Sequence, residues 1–260
     1  MQRPLIFGMV HLRALPGAPR NKLSVREIAD KALREADSLL KNGVDGLIIE
    51  NMHDVPYQRP EHRSPEVTAV IETVSIRAQF PTVTAGVQVL SCGNKEALSI
   101  ALAADLDFIR CESFVFGHMG DEGFAQSDAA ELLRFRRNIG AENVKIFTDI
   151  KKKHSSHALT GDLSIADVAV AADFFLTDGL IVTGQHTGTP VNKNDITQIR
   201  AAVNQKVFIG SGTSVRNILD YSESVDGFII GSEFKQHGYW ENEIDESRVK
   251  EITSLLAAQY

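Results

Sequence analysis

Val207-Phe208-Ile209-Gly210-Ser211-Gly212-Thr213-Ser214 runs from a β-branched apolar stretch straight into a glycine-rich turn, and Val225-Asp226-Gly227-Phe228-Ile229-Ile230-Gly231-Ser232 repeats the pattern. Similar runs stand at 5–10, 44–50, 83–89, 108–112, 144–149 and 179–183, which with these two makes eight. Each is apolar on both faces, as parallel strands covered by helices are, and each leads through a polar turn into a segment with helical apolar spacing. Helices are predicted over 25–41, 65–79, 95–103, 128–138, 165–175, 194–203, 214–221 and 245–258. The first opens at Ser24-Val25-Arg26-Glu27, with the spacing of a capping box, and stops at Asn42-Gly43. Eight such units predict an α/β fold, a (β/α)8 TIM barrel in which residues 1–260 form a single domain. A doubly wound sheet would need a glycine-rich turn after its first strand, where this chain has His11-Leu12-Arg13-Ala14-Leu15-Pro16-Gly17.

Composition narrows the function classes. With 43% hydrophobic and 23% charged residues the chain reads as globular, and no run of about 18 apolar residues is present to cross a bilayer. The first residues lack a cleavage site and are broken by Gly8 and His11, so no signal peptide is read and a cytoplasmic location is expected. A net charge of -7, with Lys151-Lys152-Lys153 as the longest basic run, argues against nucleic acid as a partner. Cys92 and Cys111 are too few for a disulfide framework and read as core thiols. A homo-oligomer is expected on general grounds.

The turns after the seventh and eighth strands are neighbours in a barrel. Glycine lets backbone N–H groups approach an anion, and a helix amino terminus after each turn adds a favourable dipole. Gly210, Ser211, Gly212, Thr213, Gly231 and Ser232 are therefore the predicted phosphate cradle of a ribulose-phosphate-binding type of barrel. The other strand ends carry His11, Glu50 with Asn51, Gln88, Glu112, Asp149 with Lys151, and Thr183 with Gln185 and His186, which is too polar for a sealed core. Glu50, Glu112 and Asp149 suit general acid–base work, or oxygen ligation of magnesium or another divalent ion alongside a substrate phosphate. His11 and His186 suit proton transfer near neutral pH. Asn51, Gln88, Thr183 and Gln185 suit substrate binding. No histidine spacing marks a zinc site. Alternation from Asp149 aims Lys151 inward, to hold the substrate electrostatically or to form a Schiff base with a carbonyl. Long connections at 12–23, 51–64 and 113–127 leave the same strand ends.

These pieces together resemble one family, the BtpA/SgcQ α/β-barrel proteins, over nearly the whole chain. The likeness is carried by Gly8-Met9-Val10-His11-Leu12 with Leu15-Pro16-Gly17, Gly43-Val44-Asp45-Gly46 leading to Glu50-Asn51, and Gly86-Val87-Gln88-Val89-Leu90. It continues through Phe108-Ile109-Arg110, Lys145-Ile146-Phe147-Thr148-Asp149 with Lys153-His154, Leu180-Ile181-Val182-Thr183-Gly184 with Thr187-Gly188, Gly210-Ser211-Gly212, and Asp226-Gly227 leading to Gly231. The resemblance implies either a factor for photosystem I accumulation or an enzyme of sugar or nucleoside metabolism.

Three functions are expected to compete. The first is an enzyme acting by acid–base chemistry on a small phosphorylated metabolite, as an isomerase, lyase or hydrolase, with Asp149, Glu50 and His11 at its centre. The second is a non-enzymatic assembly factor using the barrel as a scaffold. The third is an aldolase working through a Lys151 imine.

Overall fold

Each apolar run of the sequence overlaps a strand, and the strands close on themselves because every one finds a parallel partner on both sides. The structure is a computed structural model that describes residues 3–65, 67, 71, 76–184 and 189–260. Its barrel strands are β1 (Leu5–His11), β2 (Gly46–Glu50), β3 (Thr84–Gln88), β4 (Phe108–Cys111), β5 (Lys145–Ile150), β6 (Gly179–Val182), β7 (Val207–Ile209) and β8 (Gly227–Ile230). They pair in chain order, and β8 returns to β1, so the barrel is closed. The predicted (β/α)8 architecture is therefore the observed one.

Outside the strands lie helices Val25–Lys41, Asn94–Ala103, Ala129–Asn138, Ile165–Phe174, Lys193–Ala202 and Glu246–Ala257, each within a residue of its predicted span. The capping box at the first is present: Ser24 Oγ accepts from the Glu27 N–H, and the Glu27 carboxylate accepts from the Ser24 N–H. Of the helix expected over 65–79, Ile76–Gln79 is described as a segment, and much of the remainder lies outside the described residues. The helix expected over 214–221 is reduced to Ile218–Tyr221. None of the described helices is long and apolar enough to cross a membrane.

The lumen is filled by a repeated device. Phe7, Phe108, Phe147 and Phe208 form a closed cycle of rings with centroids 5.0 to 5.9 Å apart. Each stands directly across a strand pair from a glycine: Phe7 from Gly46, Phe108 from Gly86, Phe147 from Gly179 and Phe208 from Gly227. The absent side chain is what makes room. A Cβ would lie 2.6 Å from the Phe7 ring at Gly46, 2.4 Å from Phe108 at Gly86, and 2.9 Å from Phe147 and Phe208 at the other two. Every two-strand unit thus supplies one ring and one gap.

The amino-terminal face repeats with the same period. Asp45, Asp107, Asp178 and Asp226 each precede an even-numbered strand, and the Oδ2 of each accepts from a backbone N–H on the preceding odd strand: Ile6, Ala85, Ile146 and Val207, at 2.7 to 2.9 Å. Arg3, Arg77, Arg136 and Arg200 pair with those same carboxylates. Four clamps therefore hold four quarters of the barrel in register.

If the rings and gaps are matched in this way, Gly86→Ala should lower stability by about 1–3 kcal/mol through overpacking. Urea unfolding of Gly86→Ala, Phe108→Leu and the double variant should show a double loss smaller than the sum, because the smaller side chain relieves the clash.

Candidate functional site

Period-two alternation carries the lumen-facing register one or two steps beyond the phenylalanine layer. Met9 is followed by His11, Ile48 by Glu50, Gly86 by Gln88, Phe108 by Arg110, Phe147 by Asp149, Ile181 by Thr183, Phe208 by Gly210 and Ile229 by Gly231. With the exception of Thr183, this ring floors a cavity of about 210 Å³ at the carboxyl ends of the strands. It is below the roughly 300–1000 Å³ of drug-sized sites, a size for a small metabolite. Tyr57 and Met52 border it from the second long connection, and Asp121 and Glu122 from the fourth strand's connection. The latter folds into antiparallel strands His118–Gly120 and Gly123–Ala125, the first of which also pairs with Ser155–Ser156, as a flap.

Two predicted site residues are fully occupied by structural bonds. The Asn51 amide accepts from the Leu90 N–H at 2.7 Å and donates to the Leu90 carbonyl at 3.2 Å. It staples the third strand's turn and does not line the cavity, contrary to the substrate-binding role expected of it. The Glu112 carboxylate accepts from Gln88 Nε2 at 3.1 Å and from the Cys92 N–H at 2.7 Å, and pairs with Lys152 Nζ at 3.0 Å. Burial pushes Glu112 up, but Lys152 and the Cys92 N–H together hold it below the usual carboxylate range. Glu112 is an anion at neutral pH and a brace for Gln88, unlike a poised acid.

Asp149 is paired as well. Arg110 Nη2 lies 3.0 Å from its Oδ1 and Nε 3.2 Å from its Oδ2, while Nη2 also reaches the Gly210 carbonyl at 3.3 Å. Burial raises the Asp149 carboxyl and Arg110 pulls it back, with a net rise. The fork ties the fourth, fifth and seventh strands together at the cavity floor. Arg110 was not picked out from sequence as a site residue. Its signal was the alternation Phe108, Arg110, Glu112, which puts an arginine on the lumen side of an otherwise apolar strand.

His11 and Glu50 are register partners on adjacent strands, with Nε2 and Oε2 3.7 Å apart. Burial, then the charges of Lys235 and His53, push His11 well below the ordinary histidine value, so its imidazole is neutral at pH 7. Lys235 is itself buried against Glu35 at 2.7 Å. Burial raises Glu50 to about 7, against the pull of Arg110 and Lys153. A carboxyl that titrates near neutrality beside a neutral imidazole can both give and take a proton.

The three lysines are sorted by backbone geometry. The strand ends at Ile150, and Lys151 takes a left-handed conformation, φ 47°, which breaks the alternation on which its inward aim was predicted. Its Nζ instead donates to the Leu163 carbonyl, away from the main cavity. Lys152 and Lys153 line that cavity in its place. The Lys153 N–H donates to Thr183 Oγ1 at 3.0 Å, which is where the Thr183 side chain is engaged. Burial and Arg110 lower the Lys153 ammonium to about 8 despite Glu50 and Asp149. Gln185 and His186 lie outside the described residues.

Gly210, Ser211, Gly212, Thr213, Gly231 and Ser232 all line the cavity. Ser211 Oγ and Thr213 Oγ1 are buried and have no hydrogen-bond partner among the described residues. Gly212 has φ 78°, and a Cβ there would meet the Thr189 carbonyl oxygen at 2.0 Å, so the turn demands glycine. Asn217 Oδ1 accepts from the Ser214 N–H, and its Nδ2 donates to the Gly212 carbonyl, each at 2.8 Å. That clamp closes the turn on itself and delays the helix to Ile218. After Gly231 comes only a 3-10 turn, Ser232–Phe234. The helix-dipole part of the predicted cradle is therefore corrected: any anion there would meet backbone N–H groups and hydroxyls. A Cβ on Gly231 would lie 3.1 Å from the His11 ring, so the second turn abuts the His11–Glu50 pair.

Among the described residues no three His, Cys, Asp or Glu side chains converge as metal ligands would. A divalent ion would have to be held by one or two carboxylates together with the substrate's own phosphate.

The profile of the BtpA family matches residues 1–258. A mitochondrial protein of Caenorhabditis elegans is 44% identical over 256 residues, covering 96% of this chain and 92% of its own. The photosystem I biogenesis protein BtpA of Synechocystis sp. is 34% identical over 255 residues, covering 97% of this chain and 88% of its own. Among solved structures, phosphoribosyl anthranilate isomerase from Thermus thermophilus superposes with a TM-score of 0.60 at 12% identity, covering 98% of this chain and all of that one, a likeness of fold. By its profile match and by the identity it shares with relatives along nearly its whole length, the chain belongs to the BtpA family.

Proposed function

We propose that this chain is an enzyme that holds a small phosphorylated metabolite on the turns at Gly210 and Gly231 and moves a proton on it with Glu50. The reading is carried by one juxtaposition: the buried hydroxyls of Ser211 and Thr213, without a hydrogen-bond partner among the described residues, line the same cavity as a carboxyl that keeps its proton to about pH 7. Buried hydroxyls without protein partners cost stability and suit a ligand that supplies acceptors. His11 is the neutral partner of Glu50, and the Arg110–Asp149 fork is the fixed dipole against which charge on the substrate develops. The position of the turns supports the same reading, since barrel enzymes frequently bind phosphate after the seventh and eighth strands. The name of the Thermus isomerase carries a phosphoribosyl group, in keeping with that ligand class.

A second reading follows from the Synechocystis relative, whose name describes a biogenesis role. Met119 and Phe124 on the flap are each 49% exposed, the kind of apolar surface a scaffold presents. The two readings part at Glu50: a scaffold tolerates Glu50→Gln in a cell-based assay, and an enzyme does not.

Ribose 5-phosphate or glyceraldehyde 3-phosphate should raise the melting temperature, and ribose or glyceraldehyde should not. No shift with any phosphorylated compound, inorganic phosphate included, would sink the reading. Thr213→Val, alone or with Ser211→Ala, should leave the unliganded protein at least as stable. It should weaken phosphate affinity by roughly tenfold, the worth of one hydrogen bond to a charged group.

Glu50 also makes a pH prediction. Its folded value of about 7 lies above the ordinary 4.5, so the folded state keeps a proton that the unfolded chain releases. That contribution is complete below the unfolded value and is lost as pH rises through 7. Between pH 5 and 8 the wild type should lose up to about 2–3 kcal/mol relative to Glu50→Gln in urea titrations, and parallel curves would refute the assignment.

A further inference from the structure

The geometry points to Lys153 as a catalytic residue that forms an imine with an aldehyde or ketone carbonyl of the substrate, a proposal that rests on the phosphorylated-metabolite reading above. Three features of the cavity carry it. Left-handed residues at Lys151 and His154 bracket the Lys152-Lys153 pair and turn it toward the mouth, and the Lys153 N–H is tied to Thr183 Oγ1, so the backbone that carries this side chain is held in place. Lys153 lines the cavity together with Glu50, Asp149 and Arg110. The phosphate turns follow β7 and β8 while Lys153 follows β5, so a phosphate held on the former presents the rest of a small molecule across the mouth to the latter.

The electrostatics of the cavity favour the required protonation states. Desolvation and the positive charges of Arg110 and Lys152 oppose the ammonium form of Lys153, while Glu50 and Asp149 support it, and the balance leaves it at about 8. At pH 7 roughly one molecule in ten then carries the neutral amine, against fewer than one in a thousand for an ordinary lysine. Lys152, by contrast, is locked as a cation by Glu112.

In the step itself the Nζ lone pair attacks the carbonyl carbon, and the C=O π pair moves to oxygen, which takes a proton. The nitrogen gives up a proton to the cavity's bases, and Glu50 protonates the carbinolamine hydroxyl. Water leaves as the nitrogen pair closes the C=N bond. The nitrogen keeps its second proton, so neutral amine, carbonyl and the Glu50 proton give a protonated imine, water and the Glu50 carboxylate, with no oxidant or reductant consumed. The substrate class is thereby narrowed to phosphorylated aldehydes and ketones.

The test is reductive trapping at pH 7 with sodium cyanoborohydride, which delivers hydride to the imine carbon, followed by peptide mapping of the wild-type protein. The probes are glyceraldehyde and glyceraldehyde 3-phosphate. Lys153 should acquire the reduced adduct at least about tenfold faster than exposed lysines such as Lys41 and Lys250 with either aldehyde, and faster with the phosphorylated one. Inorganic phosphate should suppress only that extra preference. Equal trapping of Lys153 by both aldehydes would keep the imine lysine and remove the phosphate reading. Thermal stabilisation by phosphate, with Lys153 trapped no faster than the exposed lysines, would overturn the proposal and spare that reading. Lys153→Arg, which keeps the charge, should retain phosphate stabilisation and lose the fast-labelling site.

Discussion

Everything at the mouth depends on a floor of four phenylalanine rings, each seated on the glycine opposite it. A barrel of eight strands has a lumen just wide enough for side chains to fill, and the ring cycle fills it with apolar side chains. Dispersion and edge-to-face contact between neighbouring rings reinforce the burial. The consequence lies one layer higher. Because the layer beneath the strand ends is apolar, the buried groups at His11, Glu50, Gln88, Arg110 and Asp149 are desolvated on one side before any ligand approaches.

Desolvation of that many charges would be ruinous if they were unpaired. The chain compensates most of it in twos: Arg110 with Asp149, Lys152 with Glu112, and Lys235 with Glu35 behind His11. Burial shifts Glu50 upward to about 7 and Lys153 downward to about 8, so both titrate near neutrality. Perturbed groups of opposite sense in one cavity are what acid–base and amine chemistry require at ordinary pH. The braces and the two shifted groups are thus parts of one electrostatic arrangement.

The barrel was legible because its signal is repeated and local: eight apolar runs, helical spacing between them, and caps such as Ser24 with Glu27. Much of the rim was legible for the same reason, since alternation along a strand fixes which residues point inward. Reading failed where the backbone left regular geometry. Lys151 was assigned by extending the strand one residue past its end, and its left-handed conformation turned Lys152 and Lys153 inward instead. Asn51 and Glu112 are polar strand-end residues like Glu50, and only three-dimensional pairing separates an anchor from a reactive group. The helix expected after Thr213 was shortened by Asn217, whose side chain competes for the turn. The fourfold device of ring, gap and aspartate clamp is written in the chain as Asp45-Gly46, Asp178-Gly179 and Asp226-Gly227. It was hidden because the second quarter exchanges ring and gap, with Gly86 on the odd strand and Phe108 on the even one.

The aspartate clamps sit at the amino-terminal face, a full barrel length from the cavity. The clamps at this end and the groups that line the cavity are therefore separate sets of residues, a division general to this architecture. Mutational drift in the turns and the flap can alter which molecule is bound while the clamps keep the strands in register. A lineage built on such a frame can exchange one substrate for another without passing through an unfolded ancestor.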